Sequence, residues 1–76
     1  MNTEETVKRI VAEVCDVKFE DVALTSAIGD FPQWDSMGQM VILQKVEEAC
    51  DISFEPEEMM EIEDVNDIVK AVEAKL

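Results

Sequence analysis

The stretch that decides the fold is residues 34–50, WDSMGQMVILQKVEEAC. Asp35 is a favourable N-cap, because its carboxylate can accept from the unpaired amides of a first helical turn. A helix is therefore predicted from about Ser36 to Cys50. With 3.6 residues per turn, one face of this helix carries the apolar residues that we expect in a core: Ile42, Leu43, Val46, Ala49 and Cys50.

A second apolar group lies on the opposite side of the same helix. It consists of Met37, Met40 and Val41, with Gln44, Glu47 and Glu48 beside it. In one interpretation, the preceding loop or a short later helix covers this group. In the other, the group is an exposed docking patch rimmed by Glu47 and Glu48. We favour the patch, because flexible methionine side chains can repack against several partners.

Flanking patterns predict three more helices. The first helix has a cap at Asn2 or Thr3, and its apolar positions are Val7, Ile10, Val11 and Val14. The last helix has a cap at Asp64, and its apolar stripe consists of Val65, Ile68, Val69, Val72 and Leu76. A short third helix at about 56–62 starts at Pro56 and is anchored by Met59, Met60 and Ile62, so we expect it to be the least stable element. The fold class is thus all-α, a small four-helix bundle with three main helices and a short third helix.

The link between the first two helices, about residues 18–35, is long for a small bundle. Gly29 and Phe31-Pro32 break any helix inside it. Its apolar residues are expected to pin it across the bundle as an ordered strap: Phe19, Val22, Leu24, Ile28, Phe31 and Trp34.

Length and charge limit the function. A chain of 76 residues is expected to form one domain, residues 1–76, with a modest core and no room for a large substrate pocket. The net charge is −13, and residues 35–64 carry ten acids against the single base Lys45. Such a polyanion repels nucleic acid and anionic lipid, so we expect basic protein patches as partners.

The residue inventory argues against several other classes. The chain has no His, which excludes the general serine-hydrolase arrangement, and it has no Tyr. Cys15 and Cys50 are too few for a disulfide scaffold or a zinc site and are expected to be small buried apolar groups. The acids at 55–64 lack the spacing of a calcium loop. With no apolar run of about 18 residues and no signal-peptide pattern, we expect a cytoplasmic protein with no membrane insertion.

The motif WDSMG at residues 34–38, after a long loop and opening an acidic amphipathic helix, resembles the attachment motif of acyl and peptidyl carrier proteins. The family core is Asp-Ser-Leu, and Asp35-Ser36-Met37 matches it with a Leu-to-Met exchange. The likeness also covers residues 43–54, the short helix from Pro56 to Ile62 and the last helix from Val65 to Leu76.

This resemblance implies a non-catalytic carrier with 4′-phosphopantetheine attached to Ser36, installed by a phosphopantetheinyl transferase from coenzyme A with Mg²⁺. Acyl or aminoacyl groups would travel as thioesters on its thiol between enzymes with basic docking patches. The recognition face implied by position is Met37, Met40, Val41, Gln44, Glu47 and Glu48, and Asp35 would help the transferase hold its metal. A shuttle of this kind is expected to be a monomer.

One departure concerns the pathway. Carriers of fatty acid synthesis usually have an acid after the motif, where Gly38 stands here; Trp34 and Gly38 resemble stand-alone carriers of specialised pathways. We interpret the missing side chain at Gly38 as room for the arm or for a partner's backbone. General fatty acid synthesis stays open as an alternative, as does an unmodified acidic interaction module, in which Ser36 would never be modified.

Overall fold

The computed structural model describes residues 2–76. It contains four α-helices: α1 (Thr3–Cys15), α2 (Ser36–Cys50), α3 (Pro56–Glu61) and α4 (Val65–Glu73). A single 3₁₀ turn, Phe19–Asp21, interrupts the loop between α1 and α2. The predicted all-α bundle with three main helices and a short third one is confirmed. None of the helices within residues 2–76 is long and apolar enough to cross a membrane.

Short polar side chains start the three main helices. The Asn2 side chain accepts from the amides of Glu4 and Glu5 at 2.8 and 3.3 Å, and Asp64 accepts from the Asp67 amide at 2.8 Å. Each cap satisfies backbone donors that have no partner inside the helix. The predicted caps at Asn2, Asp35 and Asp64 are all present.

The core forms around α1, which packs against both α2 and α4. Its fully buried side chains are Val7, Val11, Cys15, Trp34, Ile42, Leu43, Val46, Val65, Ile68 and Val72. Two predicted apolar positions lie outside the core, since Ala49 is exposed and Leu76 is 75% exposed, and three others are half-buried: Ile10, Val14 and Cys50. Leu76 lies beyond the end of α4 at Glu73, and α1 covers a narrower arc of α2 than the apolar pattern suggested.

The long loop is held by backbone hydrogen bonds as well as by apolar contacts. The Ile28 amide donates to the Glu63 carbonyl at 3.0 Å, and the amides of Val65 and Asn66 donate to the carbonyls of Ser26 and Leu24 at 2.9 and 3.0 Å. Of the predicted apolar anchors, Val22 and Trp34 are buried and Leu24 and Phe31 are half-buried against the core, whereas Phe19 and Ile28 are 38% and 41% exposed. Hydrogen bonds to the start of α4 therefore add to the expected apolar pinning.

The short helix α3 contributes no fully buried residue. Met59 is half-buried, whereas Met60 is 84% exposed and is not the anchor that we expected. Ile62 is buried, but it lies just after the helix.

Candidate functional site at the start of α2

Ser36 is the first residue of α2, and its side chain is exposed. The preceding Asp35 accepts a hydrogen bond from the Gly38 amide through Oδ1 at 2.8 Å, and its carbonyl accepts from the Gln39 amide at 2.8 Å. Within residues 2–76, the amides of Ser36 and Met37 have no hydrogen-bond partner. The hydroxyl thus stands beside two free donors at the positive end of a helix, where a negatively charged group is favoured.

Basic side chains are scarce in the segment around Ser36. The chain has no His, and the single base of residues 35–64, Lys45, has its Nζ 3.8 Å from a carboxylate oxygen of Glu13 on α1. Among residues 2–76, no three metal-ligating side chains lie close enough together to hold an ion.

A buried pair of hydrogen bonds lies behind Ser36. The Trp34 Nε1–H donates to Gln39 Oε1 at 2.6 Å, and Gln39 Nε2 donates to the Ile62 carbonyl at 3.0 Å. Trp34 is fully buried and Gln39 is 9% exposed. These two hydrogen bonds join the first turn of α2 to the segment after α3.

Gly38 lies against the backbone of its own chain. A Cβ at this position would collide with the Gln33 carbonyl oxygen, in the loop just before the motif. Our interpretation of Gly38 as room for the arm or a partner was wrong, because the Gln33 carbonyl occupies the space. The glycine instead lets the loop pack tightly on the first turn of α2.

The second apolar group of α2 is uncovered. Met37 is 79% exposed, Met40 is 64% exposed and Val41 is 42% exposed. The interpretation that the loop or α3 buries them was therefore wrong. Their role in docking stays a prediction.

The polar residues of the predicted recognition face are not equivalent. Gln44 and Glu48 are exposed, but Glu47 accepts from the Phe54 amide through Oε2 at 2.7 Å. This bond holds the chain as it leaves α2, so Glu47 has a structural role that the sequence did not reveal. Gln44 and Glu48 have no such bond among residues 2–76.

A cavity of about 300 Å³ opens between α2 and α3 beside Ser36. Its lining is mostly apolar: Ile28, Ser36, Gln39, Met40, Leu43, Met59, Met60 and Ile62. A neighbouring hollow of about 270 Å³ shares Met40, Leu43 and Met59 and continues towards Glu47. The groove therefore runs along α2, starting at the serine.

Sequence reasoning did not identify Gln39 as part of this site. A signal existed, because Gln39 falls on the core face of α2, where a buried amide needs partners. The sequence offered no way to know that these partners are Trp34 and the Ile62 carbonyl.

Comparison with known proteins gives one informative result. No curated protein matches this chain. Residues 5–72 match the family described as phosphopantetheine attachment site. Proteins of this family attach 4′-phosphopantetheine covalently to a serine, and its carrier domains are generally non-catalytic tethers. Because the match covers most of the 76 residues, and a serine stands exposed at a helix start as such an attachment requires, the chain belongs to the phosphopantetheine-binding carrier family.

Proposed function

We propose that Ser36 is the attachment serine and that the protein carries acyl or aminoacyl groups between biosynthetic enzymes. The matched region contains three serines. Ser26 is buried, and its Oγ accepts from the Ala23 amide at 2.9 Å. Ser53 is exposed but lies in the loop after α2, without a helix start behind it. Ser36 alone combines an exposed hydroxyl with a helix N-terminus, and this observation carries the proposal.

The residues around Ser36 fit a phosphodiester. The free amides of Ser36 and Met37 can donate to phosphate oxygens, and the helix dipole favours their negative charge. Asp35 keeps one carboxylate oxygen on the Gly38 amide. Its other oxygen has no partner within residues 2–76, so it is available to a Mg²⁺ ion held by the transferase.

When bound, the phosphopantetheine supplies a thiol that holds acyl groups as thioesters. The chain itself presents the Ser36 oxygen in a fixed place and offers a surface to each enzyme in turn. We assign Ser36 no catalytic step of its own. The protein acts as a covalent tether.

The recognition face that we propose comprises Met37, Met40, Val41, Gln44, Glu47 and Glu48. Its three apolar side chains are exposed, and the surrounding segment 35–64 has nine more acids than bases. Acidic residues around an adaptable apolar centre suit basic patches on enzymes, because electrostatic steering speeds encounters that must then dissociate. Glu47 contributes less than Glu48, since its carboxylate is engaged with Phe54.

The finer proposal is a dedicated stand-alone carrier of a specialised pathway, a monomer of one domain working in the cytoplasm. Trp34 and Gly38 support the dedicated role through their resemblance to such carriers, and the two free cysteines suit a reducing compartment. General fatty acid synthesis is the alternative. Loading by malonyl transfer enzymes would favour that alternative, and loading by an amino-acid-activating enzyme would favour the dedicated role.

The test is the intact mass after incubation with coenzyme A, Mg²⁺ and a broad-specificity phosphopantetheinyl transferase. Wild type and Ser53→Ala should each gain one phosphopantetheine, and Ser36→Ala should gain none. Ser53→Ala is the matched control because it also removes an exposed serine hydroxyl.

A gain in Ser36→Ala would move the attachment to another serine. No gain in folded wild type, with a transferase that modifies a reference carrier and with cell extract of the source organism, would contradict the carrier function. An unmodified acidic interaction module would then be the better description.

A further inference from the structure

One side of the cavity beside Ser36 is a polar wall formed by Gln39 and Ile62. Both residues line the cavity, and Gln39 Nε2 donates to the Ile62 carbonyl at 3.0 Å. Gln39 Oε1 in turn accepts from Trp34, which does not line the cavity and is fully buried in the core. The remaining lining is apolar apart from Ser36, so an alkyl chain can enter the cavity, but it would have to displace the Gln39 amide to reach Trp34.

Moving past this wall would break a closed hydrogen-bond arrangement. No buried side-chain nitrogen or oxygen among residues 2–76 lacks a partner, and the Gln39 amide uses both its oxygen and its nitrogen. An alkyl chain that displaced Gln39 would leave the Trp34 N–H and the Ile62 carbonyl buried without partners. Such groups are costly to bury unpaired, whereas an alkyl chain offers them nothing in return.

We propose that Gln39 is a specificity-determining residue that keeps cargo out of the interior of the bundle. This inference rests on the proposed attachment at Ser36. Short or polar cargo is carried at the surface, and the distal part of a long acyl chain stays exposed along the groove beside Met40 and Met59. The carrier therefore does not take the distal part of a long alkyl chain into its core.

Because Trp34 is the single tryptophan, its indole N–H signal reports directly on the polar wall. The Trp34 indole N–H bonds to Gln39, so its NMR resonance reports any chain that reaches this point. The experiment compares the phosphopantetheinylated protein carrying acetyl, octanoyl or dodecanoyl thioesters. Two quantities are measured: the Trp34 indole N–H shift, and the rate at which hydroxylamine cleaves each thioester.

In wild type we expect the indole resonance to stay in place across the series, with cleavage rates within about twofold of one another. In Gln39→Met, which replaces the amide by an apolar side chain of similar length, the dodecanoyl chain should enter. Its thioester should then be cleaved at least about fivefold more slowly than the acetyl thioester, because burial shields it. The indole resonance should move in the same samples.

Val72→Ala is the matched control, since it loosens the core on α4 away from the cavity. It should retain the wild-type behaviour, which separates removal of the wall from general loosening. A dodecanoyl thioester protected in wild type, with a shifted indole resonance, would overturn the inference whether or not Gln39→Met folds. The initial mass measurement separates the two proposals: no phosphopantetheine on Ser36 overturns both, whereas a modified Ser36 with a sheltered chain overturns this one alone.

Discussion

The two elements that flank the cavity are held in different ways. The first is the attachment turn, residues 34–39, which combines a fully buried tryptophan, a side-chain cap and the close packing of Gly38 on Gln33. The second is α3, which buries no residue completely. The turn that carries Ser36 is therefore anchored in the core, whereas α3 packs on the surface of the bundle.

Polar contacts hold much of α3 in place. The Glu55 amide donates to Glu58 Oε1 at 2.8 Å as part of a capping box, and Lys75 Nζ lies 2.7 Å from the same oxygen. The hydrogen bond from the Glu55 amide, together with the contact to Lys75, lowers the pKa of the Glu58 carboxyl. Exposed ion pairs of this kind are weak and are screened by salt, and they depend on the protonation of the carboxyl group, which apolar burial does not.

This contrast teaches that the element that positions Ser36 is different from the element that forms the other side of the cavity. The attachment turn presents Ser36 in one orientation because several independent interactions hold it. Helix α3 buries none of its own residues completely, but Ile62 directly after it is joined to the attachment turn by the hydrogen bond from Gln39 Nε2. Four predictions test the contrast, ordered by the size of the expected effect.

The largest effect is expected for Trp34→Leu. Removing part of a fully buried side chain and leaving Gln39 Oε1 unpaired should lower the free energy of unfolding by about 3 kcal/mol. Met60→Leu, a conservative change on exposed α3, should stay within about 0.5 kcal/mol of wild type. Urea denaturation measures both free energies of unfolding, and equal losses in the two variants would refute the difference between the attachment turn and α3.

The next effect concerns Gly38→Ala. Alanine is the better helix former by about 1 kcal/mol, so helix propensity alone predicts stabilisation. The collision with the Gln33 carbonyl should reverse the sign and give a net loss of about 1–2 kcal/mol in urea denaturation. Gln44→Ala, on the exposed side of the same helix, provides the comparison. A more stable Gly38→Ala would mean that the loop does not pack on the turn.

A smaller effect is expected from salt. Residues 35–64 carry ten acids and one base, so self-repulsion opposes folding. Screening should raise the melting temperature by a few degrees between low and moderate ionic strength, although it also weakens exposed ion pairs such as Lys75–Glu58. A melting temperature that stays constant or falls would show that the ion pairs outweigh the repulsion.

The smallest effect is local to α3 and depends on pH. Because the folded pKa of Glu58 is lowered, its contribution is fully present above the ordinary glutamate pKa of about 4.3 and is lost as the pH falls through the folded pKa. The α3 amides should then exchange faster relative to those of α2. Glu58→Gln should remove this pH dependence, and Lys75→Met should reduce it. An unchanged profile in Glu58→Gln would assign the dependence to other carboxyl groups.

Much of the fold was predictable because its signals are local. Asn2, Asp35 and Asp64 each cap a helix through amides two or three residues away. The position of Ser36 at the start of α2 follows from the Asp35 cap. By contrast, Ala49 and Leu76 were assigned to the core on periodicity, which describes one face of a helix but not how much of that face a neighbour covers.

The sequence by itself determined the helix order, the position of Ser36 at a helix N-terminus and the acidity of the segment around it, because caps, apolar periodicity and charge are properties of neighbouring residues. Only the tertiary structure decided the roles of Gln39, Glu47 and Gly38. Gln39 bonds to a carbonyl 23 positions away. Glu47 bonds to the Phe54 amide across the end of α2, and Gly38 meets a carbonyl whose position depends on the path of the loop. Such contacts form only when the helices pack, and for that reason no local pattern encodes them.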